Sequence, residues 1–499
     1  MKKILIVGAG LGGLAAGITL QHKGYQVEII EQNAHAGGKM MPVEIDGYSF
    51  DYGPNTITMP RVFQNVVAET GENPDDYFSF LKLNAHTVNQ WEDGTIFQQT
   101  TDVANMLAQF EELDEKGSRA YPDYLAEVER IYKEAELSFF YAPFTSWKDY
   151  LSLRLGFALM KVRPFEKLAH FHERYFSNEK ILMTFNRYAT YIGSSPYQCP
   201  ATFSLIGHLE MNEGVYYTIG GNTNIAKGFL KLFQKLGGKV TFDTKVEKIL
   251  LKNKKAYGLL LSNGEKRVAA EIIINGDFIT ASKKLLTEAE RPSLTDEKLD
   301  AYEPSISAFV ILAGLNQRQE QVHHHHVFFT GDYHSEFEDI FLHHKLPDDP
   351  TIYVSHSVKT DPERSKGSNF FILVNAPAIE MNEKQISAYK EKVYDKLERM
   401  GVPIRQYLEV EKIYPPQFIR DTFSAYKGAL YGVSSHSMKD SFLRPFNQSR
   451  DIENLYYVGG TTHPGGGSPM VTISGVNVAK RIVLKDHKQT TKERSKIDE

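Results

Sequence analysis

Hydrophobic positions along this chain fall into short unbroken runs and longer spans of helical spacing, and their alternation outlines the fold. Ile4 to Val7 is a compact apolar run. It leads into Gly8-x-Gly10-x-x-Gly13 and then a helix-like segment, after which Gln26 to Ile30 reads as a second strand. Residues from about 85 to 205 are mostly helical in pattern, rich in Phe, Tyr and Leu mixed with charges. A helix-like run from Asn224 to Leu236 follows Gly220-Gly221 and is ended by Gly237-Gly238. Strands are expected around Val240 to Phe242, Thr244 to Leu251, Ala256 to Leu261 and Ile272 to Asn275, with Asn263-Gly264 as a hairpin turn. Between about 285 and 425, apolar strands (Ala308 to Ala313, Thr351 to Ser355, Asn369 to Val374) accompany an amphipathic helix from Glu383 to Met400. Leu455 to Val458 then returns to the rhythm of the opening strands.

The predicted organisation is α/β, with a Rossmann-type first domain and a discontinuous α+β second domain. The first takes residues 1–84, 206–284 and 426–484, the second takes 85–205 and 285–425, and 485–499 is a polar tail expected to fray. The opening motif carries its own chemistry. Gly8 permits a tight turn, Gly10 lets backbone approach a pyrophosphate, and Gly13 lets the helix pack closely on the strand. The free N–H groups of the helix start point at the phosphates. Glu31 closes the second strand about 20 residues on, where an acid bonds ribose hydroxyls.

Composition narrows the partners. The chain has 499 residues, 41% hydrophobic and 24% charged, with a formal net charge of −5, so no nucleic-acid partner is expected. The 27 Tyr and 30 Phe suit a large apolar binding surface, although core packing uses aromatics equally well. Cys199 is the one cysteine, which leaves no internal disulfide and fits a reducing compartment. Ile4 to Val7 is too short for a signal segment, and no run reaches the roughly 18 apolar residues of a spanning helix. His323 to His326 invite a metal reading, but consecutive strand residues alternate faces and cannot converge on one ion.

The full-length order of motifs resembles the superfamily of flavin-containing amine oxidases and phytoene desaturases. The fingerprint and acid are followed by Gly37-Gly38-Lys39, then by the Asp-x-Gly-Pro of Asp51 to Pro54, and finally by a Gly-Gly-x-x-x-Pro-Gly-Gly-Gly segment opening the last helix. DYGPNTITMP (51–60), RYATYIGSSPYQCPA (187–201), LPDDPTIYV (346–354), YKGALYGV (426–433) and YYVGGTTHPGGGSPMVTISG (456–475) are similar to the bacterial carotenoid desaturase and oxygenase branch.

That resemblance implies non-covalent FAD. Gly8, Gly10 and Gly13 would approach its pyrophosphate, Glu31 would hold the ribose, and Gly38 with Lys39 would place a cation near phosphate or ribose. Val246 would contact the adenine through its backbone. Gly459-Gly460 stands where many relatives carry Gly-Asp, so the usual carboxylate to the ribitol chain is missing. Met470 and Val471 would open a helix whose positive end faces the flavin pyrimidine ring. His463 is the candidate catalytic residue, with a turn role before Pro464 as the alternative. Glu210 and Glu213 either line a channel or sit on a solvated helix face, and Cys199 reads as a buried hydrophobe.

The implied reaction is oxidation of a terminal methyl of a linear C30 carotenoid (diaponeurosporene or diapolycopene) to an aldehyde, with oxygen or another carrier as electron acceptor. Dehydrogenation of a similar polyene is the alternative. An amine oxidase, and a flavin-free scaffold that binds prenylated proteins, are more remote. A polyene must come from the bilayer, so the protein is expected at the membrane surface, peripheral on the inner face of a bacterial cell membrane. Tyr150 to Phe165 is either an interfacial helix or an ordinary core-facing one.

Overall fold

The computed structural model describes residues 2–141 and 153–495. Five parallel strands form the first sheet, in the order Leu455–Val458, Glu271–Asn275, Lys3–Val7, Gln26–Ile30, Lys239–Thr241. Chain order therefore reverses between Lys3–Val7 and Glu271–Asn275, the place where open α/β sheets bind ligands beyond their strand ends. Helix Leu11–His22 is buried from Leu11 to Leu20, because it lies inside a core shared with Asn224–Lys235 and the final helix Ser468–Ser495. An apolar sequence on every side is what such a position requires.

The second domain is built on a seven-stranded sheet, antiparallel except where His325–Phe328 runs parallel to Ala85–Gln90. Its strand Ser307–Leu315, second from one edge, is buried at every position, and the alternation of its side chains sorts two cores. Phe309 and Ile311 face helix Glu383–Arg399 through Tyr389, Val393 and Leu397. Ala308, Val310 and Leu312 face the other way, onto Tyr48, Phe50 and Tyr52. A helical layer from Val103–Leu113 onward packs an aromatic core around Phe110, Tyr124, Phe176 and Phe185.

Three expectations are corrected. Residues 85–100 are not helical: Ala85–Gln90 and Ile96–Thr100 form a hairpin that extends the seven-stranded sheet. Its buried polar alternation (His86, Thr87, Asn89, Gln99) hid the strand from a hydrophobic reading. Residues 206–213 pack chiefly with the helical layer, through Ile206, Leu209 and Met211. The polar tail does not fray at Lys485, because the last helix continues through Ser495 and Lys485 pairs with buried Glu271 at 2.9 Å.

Candidate active site

A cavity of about 570 Å³ opens at the carboxyl ends of the parallel strands and runs into the second domain. Val7-Gly8, Ile30-Glu31, Ile274-Asn275 and Gly459 mark the strand ends, while Val310, Phe371 and Leu373 form an apolar wall at the other extreme. Gly8, Gly10, Glu31, Gly38, Lys39, Val246, Gly459, Gly460 and Val471 all line this one space. Residues from four separated stretches of sequence thus converge on one ligand-sized volume.

Gly13, Met470 and His463 do not line it. Gly13 seats the first helix on its strand: a Cβ there would lie 2.3 Å from the Gly8 carbonyl oxygen. Met470 turns instead toward the aromatic core of the helical layer. His463 is buried and donates from Nε2 to the Phe139 carbonyl at 2.7 Å, which ties the glycine-rich segment to the helical layer.

Glu31 is held for its task. Its two oxygens accept from the Ala9 and Asn33 amides at 2.7 and 2.8 Å, which orients the carboxylate at the cavity edge and leaves lone pairs for a diol. Gly8 has φ of +98°, and any Cβ would sit 2.2 Å from the Asn275 carbonyl oxygen, so only glycine keeps this bend. Asn275 donates from Nδ2 to the Gly8 carbonyl at 3.0 Å and locks the turn across the sheet. Sequence reasoning read Asn275 only as a strand end. Its signal is the position alone, the last residue of the strand beside the fingerprint.

The electrostatics are those of an anion site with an apolar extension. Two helix N-termini, at Leu11 and Ser468, begin beside the cavity lining and present their positive ends. The Lys39 ammonium donates to the Ala429 and Leu430 carbonyls at 3.0 and 2.6 Å, so it also bolts the 426–433 segment over the cavity. Burial pushes its pKa down to about 8, opposed by Asp277. Asp277 caps helix Phe278–Leu285, and burial raises its carboxyl. Arg444, which the sequence did not single out, is buried behind the glycine-rich loop and donates to the Gly460 carbonyl at 3.2 Å and Ser435 Oγ at 2.6 Å. Burial lowers its pKa to about 10.

Other candidates settle elsewhere. Asp51 of the Asp-x-Gly-Pro segment is not in the cavity lining. It is buried, ion-paired with Arg364 at 3.1 Å and accepting from Thr223, while Tyr52, Gly53 and Pro54 reach the cavity. The solvated-face alternative for Glu210 and Glu213 is wrong: Glu210 is fully buried, and Glu213 is half-buried in a two-oxygen contact with Arg61. Cys199 is buried against Leu168 and Ala189, and burial pushes its thiol up. The histidine tetrad splits, with His324 contacting Thr360, His325 Tyr353 and His326 Gln90. Among the described residues no group of three or more His, Cys, Asp or Glu could hold a metal ion.

A backbone cradle that a Cβ would fill, an oriented carboxylate and two helix N-termini fit a dinucleotide. Comparison with known proteins agrees on the type. The flavin containing amine oxidoreductase profile matches residues 11–483. The 4,4'-diapolycopene oxygenase of Methylomonas sp. is 32% identical, over 97% of this chain and 98% of its own. A 1-hydroxycarotenoid 3,4-desaturase from Flavobacterium sp. is 34% identical, over 95% and 97%. The 4,4'-diaponeurosporene oxygenase of Staphylococcus haemolyticus is 31% identical, over 99% of each. Cyclohexylamine oxidase of Brevibacterium oxydans shares the fold, with a TM-score of 0.62 at 14% identity over 97% of this chain and 99% of that one. With its fingerprint, acid and C-terminal glycine loop gathered on one cavity, the chain is a flavin-dependent oxidoreductase and belongs to the flavin containing amine oxidoreductase family, in the branch of the carotenoid oxygenases and desaturases.

Proposed function

We propose that this protein uses non-covalently held FAD to oxidise the terminal methyl of a linear C30 carotenoid, diaponeurosporene or diapolycopene, to an aldehyde. The observation that carries the reading is similarity over nearly the whole chain to oxygenases of that description, in a protein whose cofactor cavity ends on an apolar wall. Cys199 supports non-covalent binding, because the single thiol is buried outside the cavity lining. When bound, the isoalloxazine supplies a two-electron acceptor.

The chain's own part is positional. Gly8 and Gly10 would hold the pyrophosphate and Glu31 the adenosine ribose. The N-terminus of the last helix, at Ser468, would favour negative charge on the ring system. Val310, Phe371 and Leu373 would exclude water beside the reacting carbon, where an extended polyene delocalises developing charge without help from side chains. Converting methyl to aldehyde is a four-electron oxidation that adds one oxygen atom and removes two hydrogens, so dioxygen or water must supply that atom, and oxygen or another carrier must take the electrons from reduced flavin over two turnovers.

The substrate resides in a bilayer, and we place the protein at the inner face of a bacterial cell membrane. Phe157 and Met160 of helix Leu153–Lys161 are 70% and 62% exposed, and Phe165 just beyond it is 64% exposed. Leu137 and Tyr141 are exposed nearby in sequence. Large apolar side chains left in water beside cations read as an interfacial contact. Residues 150–152 of the expected interfacial segment lie outside the described residues. No helix among the described residues is long and apolar enough to cross a membrane.

Dehydrogenation is the second reading, favoured by the 34% identity to a desaturase. Incubating the flavin-loaded protein with diaponeurosporene in liposomes and weighing the products separates the two. Gain of oxygen supports the oxygenase, and loss of hydrogen pairs alone supports the desaturase.

A further inference from the structure

The apolar wall of the cavity runs, without leaving its sheet face, into a buried polar cluster that the redox chemistry does not use. Tyr353 lies opposite the cavity-lining Leu373, and Ser355 lies opposite the cavity-lining Phe371. One strand further, His325 lies opposite Ser355. Directly opposed residues of antiparallel strands point to the same face. The wall therefore continues from Leu373 and Phe371 into Tyr353 and His325, which are joined at 2.8 Å between hydroxyl and Nδ1.

Three further elements bring polar side chains to this face. Arg187 and Tyr191 come from the turn Arg187–Ile192, Glu210 from the π-helical turn His208–Glu213, and Tyr333 from the start of helix Tyr333–Phe341. The Arg187 guanidinium reaches the Tyr191 hydroxyl at 3.5 Å, and its charge is felt by Glu210, Tyr333, Tyr353 and His325. Tyr191 donates to Glu210, and Arg187 lies over the Tyr191 ring with its carbon 5.4 Å from the centroid. Single π-helical turns recur at functional sites, where they re-aim a side chain.

The polar valences of this cluster are not closed. Arg187, Glu210, Tyr333 and His325 are 6%, 0%, 2% and 1% exposed, yet Arg187 Nε, Glu210 Oε2, the Tyr333 hydroxyl and His325 Nε2 have no hydrogen-bond partner among the described residues. Among the described residues, no direct ion pair joins Arg187 to Glu210. Buried polar groups are nearly always satisfied, and an open cation with three other open groups on neighbouring elements marks a place built to meet something polar. The open set contains a donor, an acceptor and two groups able to play either part. A hydrocarbon end could use none of them. A hydroxyl or carbonyl oxygen could use two or three.

We propose that Arg187, Glu210, Tyr333 and His325 form a recognition site for an oxygenated end group, a hydroxyl or an aldehyde, on an otherwise apolar polyene. The proposal rests on the reading of the protein as a polyene oxidoreductase and adds to it the place in the fold where an oxygenated terminus is held.

The test uses the full-length, FAD-loaded protein with liposomes holding a C30 polyene hydrocarbon, its terminal alcohol or its terminal aldehyde. Binding is read from the shift in polyene absorption. The native protein should bind the alcohol or the aldehyde about tenfold or more tightly than the hydrocarbon, and the two oxygenated arms tell which group is preferred. Arg187→Met and Glu210→Gln should bring that ratio toward unity while the flavin spectrum is retained. Tyr333→Phe removes one unpartnered hydroxyl and keeps the ring; it should lower the ratio about threefold or more, and it decides the matter if loss of a buried charge prevents folding. Equal binding of all three polyenes by the native protein, as expected if water alone fills the cluster, overturns the site alone. So does a ratio that every folded variant leaves unchanged. Failure of any polyene to bind overturns the site together with the proposed function.

Discussion

Gly475 of the last helix rests on the carbonyl of Gly12 in the first: a Cβ added at Gly475 would lie 2.1 Å from that oxygen. A Cβ at Gly12 would likewise meet the Val471 carbonyl at 2.9 Å. Two ends of the chain are therefore packed backbone against backbone, and this contact sets the width of the cavity between the fingerprint and the C-terminal glycine loop.

Gly475→Ala should force the two helices apart. Overpacking of this kind costs about 1–3 kcal/mol, and retained flavin should fall with it. Urea unfolding and flavin content per chain, measured together, check both. Unchanged stability and full flavin content would show that the helices do not approach this closely.

Asp51 is a structural residue although its motif adjoins the cavity. Asp51→Ala would leave the mostly buried Arg364 without its carboxylate and remove the acceptor of Thr223. Breaking one side of a buried pair costs about 3–5 kcal/mol. Thermal melting should shift sharply downward, while any folded fraction keeps its flavin spectrum. A normal melting temperature with altered flavin absorption would instead place Asp51 in the site.

Much of this was legible in the sequence, for reasons that can be named. Gly8, Gly10 and Glu31 meet at one cavity because strand ends and helix starts are written locally, in glycine spacing and short apolar runs, whereas Val246 and Val471, which also line it, were named by the family resemblance. The hairpin at 85–100 was not legible, since its buried faces carry His86, Asn89 and Gln99, polar groups whose partners come from its own neighbour strand or distant helices. Glu210 was open to misreading for a related cause: its burial depends on Arg187 and Tyr191, and no local pattern announces that company. Asn275 and Arg444 act through contacts with the two glycine segments, which sequence distance conceals.

Glu336 makes stability depend on pH. It is buried, and Thr351 donates to Oε2 from both its amide and, at 2.6 Å, its hydroxyl. Burial lifts its pKa from 4.5 to about 7, opposed by the Thr351 bonds and Lys396 and reinforced by Asp349. A carboxyl raised on folding binds its proton more tightly in the folded state. Its contribution is therefore most favourable below pH 4.5, falls as pH rises toward 7 and is level above that. The full difference is roughly 3 kcal/mol. Glu336→Gln should abolish this slope, so the stability difference between variant and native protein grows from pH 4.5 to 7. A difference independent of pH would mean that Glu336 stays ionised.

Phe157, Met160 and Phe165 should carry the membrane contact. Replacing all three with serine removes large exposed apolar side chains without touching the cores, at about 1.5–3 kcal/mol of transfer energy for each one fully inserted. Sedimentation with anionic vesicles should show at least a tenfold fall in bound protein, with the melting temperature unchanged. Equal binding by the variant would move the contact elsewhere.

The central claim is that one redox cofactor sits where the fingerprint, Glu31 and the C-terminal glycine loop converge, and it has a direct measurement. Protein isolated gently, incubated with FAD and passed through a desalting column should emerge yellow with about one FAD per chain, and denaturation should release all of it. Glu31→Gln should retain markedly less, because an amide cannot accept from both Ala9 and Asn33 and still meet a ribose. A native, folded protein that emerges colourless would contradict the account.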